Sequence, residues 1–334
     1  MESIKEHLKQ REISQSTVLL YVKKLEMLHD GLGIKNNWED FSFLMDTDRT
    51  IAWINQFNSA KRRTLLNAAM VGLSPASKKN IPVEVEKEYD IYRKTMMKEG
   101  KTVSDNKITQ QKSVKEDLNW TTIKDLNRVL KTYANALKIK GFNIKNPPTK
   151  NTDINILQKL LVGSLYLLQP PRRLEYGIMK TINEKEYSNL DTSILENNNY
   201  IVTKSKFKMF FSFGKTKVKR KPDERVQKID LNKNLVKLVR FWFATINLLP
   251  KPNGIENSFL ITRELKPQSA NGLSKFLINN VFEPTGKLVG ASMVRKIYLS
   301  EKYKDDTPLL EKMKVAELMN HSASCGEMHY VKKN

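Results

Sequence analysis

Cysteine is almost absent from this sequence, and histidine is scarce. One cysteine, Cys325, in 334 residues excludes a disulfide within the chain and predicts a reducing, intracellular compartment. The four histidines and this cysteine do not have the spacing of zinc ligands, so we expect no metal site. No apolar run reaches the ~18 residues of a membrane-spanning helix, and the N-terminal residues do not form a signal-peptide pattern. We therefore expect no membrane role.

Acidic residues are few relative to basic ones. Lys and Arg number 58 against 36 for Asp and Glu, which gives a net charge of +22. The excess runs along the whole chain, and a folded protein with this field attracts polyanions. A solvated lysine-rich surface is the alternative explanation. An anionic membrane ranks below both, because no basic amphipathic helix with a lipidation motif is present.

The length of the chain and its 40% hydrophobic content suffice for two domains. Residues 99–117 are polar and are the best candidate for a linker. We place a helical domain at residues 1–112 and a mixed domain at residues 113–334. A predicted helix from about residue 59 to 71 carries three cations on its first turn, either as ordinary surface charges or as contacts to DNA phosphates. These are Lys61, Arg62 and Arg63.

Residues 189–232 carry the strand signals of the second half. Segments 200–203, 208–213 and 226–231 predict three antiparallel strands, while helical periodicity dominates elsewhere. The fold class is therefore mainly α with a small antiparallel β-sheet (α+β). Residues 214–221 predict a hairpin loop that is either a solvated charge run or an element that enters a DNA groove. Its cations are Lys215, Lys217, Lys219, Arg220 and Lys221.

Two prolines and two arginines follow an apolar helix that is predicted over residues 154–168. Pro170 and Pro171 fix a turn, and Arg172 and Arg173 are predicted to begin a new helix. Cations are unfavourable at a helix N-terminus, so their presence suggests an anion held together with the free backbone N–H groups. The alternative is that one arginine is a surface residue and the other pairs with Glu175.

An imidazole and a phenol close the sequence. A helix that carries Val315, Leu318 and Met319 is predicted to end before His321, and Tyr330 follows nine residues later across a turn. This arrangement can bring both rings to one point. A phenol is a poor nucleophile at neutral pH because its reference pKa is about 10. Cations beside its target would make it effective.

The second half of the chain carries an arginine, a hairpin lysine, a second arginine, a histidine and a tyrosine in a fixed order. This order resembles the signature of the tyrosine recombinases, the integrases that cut and rejoin DNA. The residues are Arg172, Lys215, Arg295, His321 and Tyr330. Arg172-Arg-Leu-Glu175 is similar to their Arg-x-x-Glu box, and Leu318-Met-Asn-His321 is similar to their Leu-Gly-His. The preceding Pro-Pro looks like the variant found in integrases of eukaryotic viruses and mobile elements. The likeness covers residues 117–334 in detail. It extends more loosely to the helical half, which resembles the family's core-binding, DNA-clamping domain.

The resemblance implies a role for each residue. Tyr330 attacks a phosphate of double-stranded DNA and becomes 3′-linked, while Arg172 and Arg295 stabilise the developing charge. His321 holds or protonates an oxygen, and Lys215, with Lys217 as runner-up, protonates the leaving 5′-oxygen. No metal, nucleotide cofactor or small-molecule substrate is required, because the phosphotyrosine bond conserves the energy. Glu175 and Ser292 support the site, and DNA contacts are expected from Arg173 and the other cations named above.

Two positions depart from the family pattern. Ser292 stands where the His-x-x-Arg box has histidine, and serine cannot act as a histidine acid or base. Asn320 replaces the Leu-Gly-His glycine and is one of the few other residues that tolerate left-handed geometry. Ser292 motivates an alternative, a weakened or inactive DNA-binding relative. A type IB topoisomerase would share the chemistry but relax DNA without synapsis.

The resemblance also implies an assembly. Strand exchange in the family uses four subunits around two duplexes, often with each C-terminal segment docked on a neighbour. Residues 331–334 are too short for a docking helix. We therefore expect a monomer in solution that forms a tetramer on DNA, and two domains that clamp the duplex from two sides.

Overall fold

The structure, a computed structural model, describes residues 8, 11, 13, 15–35, 41–74, 81–203, 207–212, 221, 224–249 and 257–333. The chain divides into two compact units, Met1–Thr109 and Gln110–Asn334. Within the described ranges, no helix is both long enough and apolar enough to cross a membrane.

The first unit is helical. Apolar residues recur at helical spacing, and the recurring side chains form one buried core. Its helices are α1 Gln15–Gly31, α2 Thr47–Ile54, α3 Ser59–Leu73 and α4 Val83–Ile108, with a 3-10 turn at Phe41–Leu44. The buried Tyr92 of α4 donates a hydrogen bond to the Leu44 carbonyl at 2.8 Å, which ties α4 to the turn before α2.

Most of the predicted linker is helical. Helix α4 continues to Ile108, and Val114–Leu118 forms a further short helix, α5, that begins at a capping box made by Ser113 and Glu116. Polar composition does not stop a helix, and Gly100 within α4 costs only about 1 kcal/mol relative to alanine. The two units meet between Thr109 and Gln110, inside the predicted linker, and most of the residues around that boundary are helical.

The second unit has a larger core, centred on the apolar helix over residues 151–167, which buries side chains on most of its circumference. Two helices pack on it, and one of them buries Leu126, Val129, Leu130 and Tyr133 at helical spacing. The helices are α6 Ile123–Ile139, α7 Asn151–Leu167, α8 Glu184–Ser188, α9 Thr192–Leu195, α10 Lys233–Ile246, α11 Ala270–Phe276, α12 Ala291–Lys302, α13 Leu309–Leu318 and α14 Ala323–His329.

Among the described residues, the sheet of the second unit has four strands in the order β1-β2-β3-β4. They are β1 Met179–Asn183, β2 Asn199–Thr203, β3 Lys208–Ser212 and β4 Val226–Asp230. The predicted strands correspond to β2, β3 and β4, which pair antiparallel. Strand β1 was missed and pairs parallel with β2. The sheet is therefore mixed, because α8 and α9 supply the crossover that parallel neighbours require. The α+β class is confirmed.

The last three helices surround a small apolar cluster of Leu299, Tyr303, Val315, Met319 and Val331. Helix α13 ends at Leu318, and the chain turns through Asn320 with φ = 57°. The prediction of left-handed geometry at Asn320 is confirmed. This turn redirects the chain so that α14 packs against α12 and α13.

Candidate active site

Arg172 lies in the loop between α7 and the sheet. The prediction that it begins a helix was wrong, because a single 3-10 turn, Glu175–Ile178, follows and no α-helix starts there. Hydrogen bonds fix the loop: Tyr166 donates to the Arg173 carbonyl, and Gln169 Nε2 donates to the Tyr176 hydroxyl at 2.6 Å. The arginine is therefore positioned by a braced loop and not by a helix N-terminus.

The Arg172 side chain is fully buried. Its Nη1 donates to Gln227 Oε1 at 2.6 Å and to the Leu318 carbonyl at 2.9 Å. The Phe211 ring lies against the guanidinium, with the ring centroid 3.9 Å from Cζ. A Glu175 carboxylate oxygen is 3.8 Å from Nε, which is an electrostatic contact beyond hydrogen-bond distance.

Arg295 is buried to a similar extent on α12. Its Nη1 donates to the carbonyls of Pro171 at 2.7 Å and of Met319 at 3.1 Å. The carbonyl acceptors Leu318 and Met319 are consecutive residues at the end of α13, so the two arginines converge on one stretch of backbone. The arginine loop, α12 and the end of α13 thus meet at this point.

The two guanidinium groups share an unusual feature. Nε and Nη2 of Arg172 and of Arg295 have no hydrogen-bond partner among the residues that the structure describes. Burial lowers the pKa of both side chains. Glu175 opposes this for Arg172 and Tyr330 opposes it for Arg295, while the charge of Arg173 lowers the pKa of both and the charge of Arg295 also lowers that of Arg172. Arginine nevertheless stays charged in proteins. Buried charges with unmade hydrogen bonds are costly, and an anion at this point would offset that cost.

Tyr330 lies beside Arg295 and Arg173. The Arg295 Cζ atom is 4.5 Å from the centroid of its ring, and Arg173 Nη2 is 3.4 Å from its hydroxyl oxygen. The Tyr330 N–H donates to the Gly326 carbonyl at 3.0 Å, so the residue extends the last turn of α14. The phenol is half-buried and lies beside cations of the same chain.

His321 stacks on Tyr330, with ring centroids 5.3 Å apart and an interplanar angle of 24°. Its Nδ1 is 2.8 Å from the Ser322 carbonyl oxygen. Because a carbonyl only accepts, Nδ1 carries the proton and Nε2 carries the lone pair. Burial lowers the His321 pKa to about 4; the Ser322 carbonyl opposes this, and the charges of Arg295 and Arg173 add to it. The imidazole is thus a neutral acceptor at neutral pH.

An open cavity of about 720 Å³ borders Tyr330. Arg173, Arg295 and Ser292 all contribute to its lining. Ser292 is exposed in the first turn of α12, one turn before Arg295. The site therefore presents cations, a hydroxyl and the phenol to one solvent-filled space.

The segment between β3 and β4 largely falls outside the described residues. The predictions for Lys215, Lys217, Lys219 and Arg220 lie there, while Lys221 is described and exposed. The two flanking strands are described. Phe211 of β3 and Gln227 of β4 both contact Arg172, so the strands that lead into and out of this segment lie at the site.

The three cations of α3 have different surroundings. The Lys61 ammonium lies 3.5 Å from the centroid of the Phe57 ring. Arg62 pairs with Glu99 at 2.9 Å and donates to the Phe57 carbonyl at 3.1 Å. Arg63 is exposed. Arg62 thus holds α3 to α4 within the first unit, in addition to any external contact.

Four residues at the site were missed from the sequence. Phe211 and Gln227 contact Arg172, and Glu116 and Lys332 hold the chain after Tyr330. Lys332 Nζ donates to the Gln111 carbonyl at 2.9 Å and lies 3.5 Å from the Glu116 carboxylate, which also pairs with Lys296. A lone Gln in a strand or a lone Glu in a helix carries no local signal of such a role.

The sequence matches no protein-family model, and no curated protein matches it. Among solved structures, the crystal structure of XerA recombinase aligns with 98% of this chain and 94% of that chain, with a TM-score of 0.41 and 9% sequence identity. The geometry of the site, and not this likeness, carries the proposal below.

Proposed function

We propose that this chain is a site-specific DNA recombinase of the integrase type, which cleaves and rejoins DNA strands through a 3′-phosphotyrosine at Tyr330. The observation that carries the proposal is two buried arginines, Arg172 and Arg295, that bind the consecutive carbonyls of Leu318 and Met319, with Arg295 beside the Tyr330 ring. Their four guanidinium nitrogens without a partner among the described residues suit the non-bridging oxygens of a phosphodiester. The net charge of +22 favours a polyanionic substrate such as double-stranded DNA.

The chemistry follows from the roles of these groups. The Tyr330 oxygen attacks phosphorus, a bond from that oxygen to phosphorus forms, and the bond to the 5′-oxygen breaks. Arg172 and Arg295 stabilise the charge that develops on the phosphoryl oxygens, and a preorganised donor of this kind is typically worth about 10²-fold in rate. The energy of the broken bond is retained in the adduct, so rejoining reverses the same steps.

The neutral state of the His321 imidazole decides which of its two expected roles we propose. A proton on Nδ1 leaves Nε2 as an acceptor. Nε2 has no hydrogen-bond partner among the described residues, the phenol included, and we assign it the proton that Tyr330 loses as it attacks. This tautomer does not favour the alternative expectation, protonation of a phosphoryl oxygen. The proton that the leaving 5′-oxygen requires is assigned to Lys215, with Lys217 as the second candidate, on the strength of the family resemblance.

A second function, DNA binding without cleavage, is favoured by one observation. Ser292 lines the same cavity as Arg295 and Tyr330, at the position where the family pattern has histidine. Serine donates a hydrogen bond to a phosphate oxygen but does not titrate near neutral pH. A relative that lost its histidine could keep DNA affinity and lose activity.

Covalent attachment distinguishes these functions. The wild-type chain is incubated with duplex DNA carrying a nick near each candidate cleavage position and is stopped with detergent. An enzyme leaves protein covalently attached to DNA, whereas a DNA-binding relative leaves none. Relaxation of supercoiled DNA without joining of two duplexes would indicate the topoisomerase reading instead.

The lysine assignment has its own test. Lys215→Ala is expected to slow cleavage strongly with an ordinary 5′-oxygen leaving group. With a 5′-sulfur leaving group, which needs no proton, the loss is expected to be much smaller. Lys217→Ala is the matched control, and the variant with the larger oxygen-to-sulfur difference identifies the proton donor.

For the assembly, we propose a monomer that forms a tetramer on DNA, and scattering with and without duplex tests it.

A further inference from the structure

We infer that Gln227 is a positioning residue for Arg172: it holds one edge of the guanidinium as a neutral acceptor, so that Nε and Nη2 face the scissile phosphate with the full positive charge. The inference rests on the proposed function, since it identifies how one of its anion-binding residues is oriented. Gln227 itself touches no reacting atom in this proposal.

The orientation of the Gln227 amide is fixed at both ends. Its Oε1 accepts from Arg172 Nη1 at 2.6 Å, and its Nε2 donates to the Glu317 carbonyl at 3.1 Å. The reversed amide would place a donor against a guanidinium N–H and an acceptor against a carbonyl, so only this orientation satisfies both contacts. The amide thereby links β4, Arg172 and the end of α13.

Phe211 completes the support from the neighbouring strand. Phe211 and Gln227 are partners in the β3–β4 register, so their side chains lie on the same face of the sheet. The Phe211 ring contacts the face of the guanidinium, 3.9 Å from Cζ to the ring centroid, while Gln227 contacts its Nη1 edge. Together they restrict both the tilt and the rotation of the Arg172 side chain, and Nε and Nη2 on its other edge are buried without a hydrogen-bond partner among the described residues.

The neutrality of Gln227 is the decisive property. A carboxylate at this position would accept the same hydrogen bond but would add a second negative charge beside the fully buried Arg172, which already has Glu175 3.8 Å away. Charge-assisted pairs are the strongest hydrogen bonds in proteins, so such a carboxylate would compete with a phosphate for the same cation. An amide satisfies Nη1 without reducing the charge offered to the ligand.

The test uses Gln227→Glu, which keeps shape and acceptor but adds charge, and Gln227→Met, which keeps size but removes the acceptor. Lys228→Gln is the control: it changes the net charge by the same amount as Gln227→Glu, and its exposed side chain lies on the other face of β4. Adduct formation is measured in single turnover at saturating DNA. Each variant is given an ordinary phosphodiester and a methylphosphonate, in which methyl replaces a charged non-bridging oxygen.

Gln227→Glu is expected to slow adduct formation about tenfold or more on the phosphodiester, with DNA affinity nearly unchanged. On the uncharged methylphosphonate the loss is expected to shrink, because Arg172 then has no full negative charge to neutralise. Gln227→Met is expected to slow the reaction through disorder of the guanidinium. If Gln227→Glu lost the same factor in rate on both substrates, Gln227 would only support the fold. A Gln227→Glu rate equal to that of the wild type would also contradict the inference.

A second measurement does not depend on catalysis. Inorganic phosphate is expected to raise the thermal unfolding temperature of the wild type and of Lys228→Gln, and to raise it much less in Gln227→Glu. If the wild type binds phosphate in this way but forms no adduct with DNA, the proposed function fails while the role of Gln227 stands. An equal shift in Gln227→Glu, or no shift in the wild type, overturns the inference itself.

Discussion

The guanidinium of Arg295 lies over the ring of Tyr330, with Cζ 4.5 Å from the ring centroid. Both residues belong to one chain, so the candidate nucleophile and a buried cation of the anion site are already together before DNA binds. Nε and Nη2 of Arg295 have no hydrogen-bond partner among the described residues.

Arg172 and Arg173 are neighbours in sequence and are expected to differ in function. Arg172→Ala is expected to bind DNA but to form the adduct about 10²-fold more slowly, because the transition state loses a buried fork of donors. Arg173→Ala is the comparison variant, because its side chain is exposed, although its Nη2 lies 3.4 Å from the Tyr330 hydroxyl oxygen. It is expected to weaken DNA binding more than it slows the reaction. Single-turnover rates and DNA affinities of both variants test this, and equal rate losses would argue against the assignment.

His321 is expected to titrate far below an ordinary histidine. Its pKa is lowered to about 4 by burial, assisted by the charges of Arg295 and Arg173. Inorganic phosphate is expected to raise that pKa, because an anion offsets those charges. The measurement is an NMR titration of the imidazole, with His321→Gln to assign the signal. A midpoint at the ordinary value of 6.5 would contradict the proposed environment.

The same shift predicts a stability change with pH. Between pH 6.5 and about 4 the unfolded chain binds a proton at His321 that the folded chain does not. The free energy of unfolding therefore falls as the pH is lowered through that window. His321→Gln lacks this contribution, so the stability of the wild type relative to His321→Gln is expected to decrease on acidification.

The Glu116 carboxylate is expected to stabilise the segment that follows Tyr330. Burial opposes its charge, but hydrogen bonds from Lys296 and from the Ser113 N–H, with the charges of Lys296 and Lys332, lower its pKa to about 2. Glu116→Gln is expected to reduce the free energy of unfolding by about 1 kcal/mol, because solvent screens the partly exposed pairs. This difference is present above the ordinary carboxyl value of 4.5 and disappears as the pH falls toward about 2.

Denaturant unfolding of Glu116→Gln measures this effect. Lys333→Gln is the control, because its pair with Asp305 is largely exposed and contributes little. If both variants unfold alike, Glu116 does not anchor the segment.

DNA affinity is expected to fall steeply with salt, because lysine and arginine side chains displace counterions from the phosphates. Arg63→Ala is expected to reduce the slope of log affinity against log salt by about 1, as one phosphate contact is lost. Arg62→Ala is expected to lower the stability of the first unit, because Arg62 pairs with Glu99. Affinity that does not change with salt would contradict a DNA-binding role.

The helices were largely predictable because burial and helical spacing agree locally. In α6, the buried residues Leu126, Val129, Leu130 and Tyr133 have the spacing of one helix face. Strand β1 was not predictable in the same way. Its sequence, Met-Lys-Thr-Ile-Asn, is short and has no clean alternation of apolar and polar residues, and it becomes a strand through its pairing with β2.

The site was predictable only where several residue types recur in a fixed order. Arg172, Arg295, His321 and Tyr330 belong to such an order, and the structure brings them together. Gln227 does not, because its role depends on the β3–β4 register that sets it opposite Phe211. The setting of Arg172 was also misjudged: one backbone carbonyl and one side-chain amide, and not a helix N-terminus, hold the side chain.

The identity of the nucleophile is tested by Tyr330→Phe. The substitution removes one oxygen and keeps the ring that packs against His321 and the apolar cluster, so stability and DNA affinity are expected to remain close to wild type. Because the attacking atom is absent, no covalent adduct is expected. His329→Ala is the control for the neighbouring residue and is expected to retain attachment.

Mass spectrometry of the protein–DNA adduct on a nicked duplex, trapped with detergent, identifies the modified residue. A phosphodiester bond to Tyr330 in the wild type, retained in His329→Ala and lost in Tyr330→Phe, is the expected result. An adduct that Tyr330→Phe forms at the wild-type rate would show that the assigned mechanism is wrong.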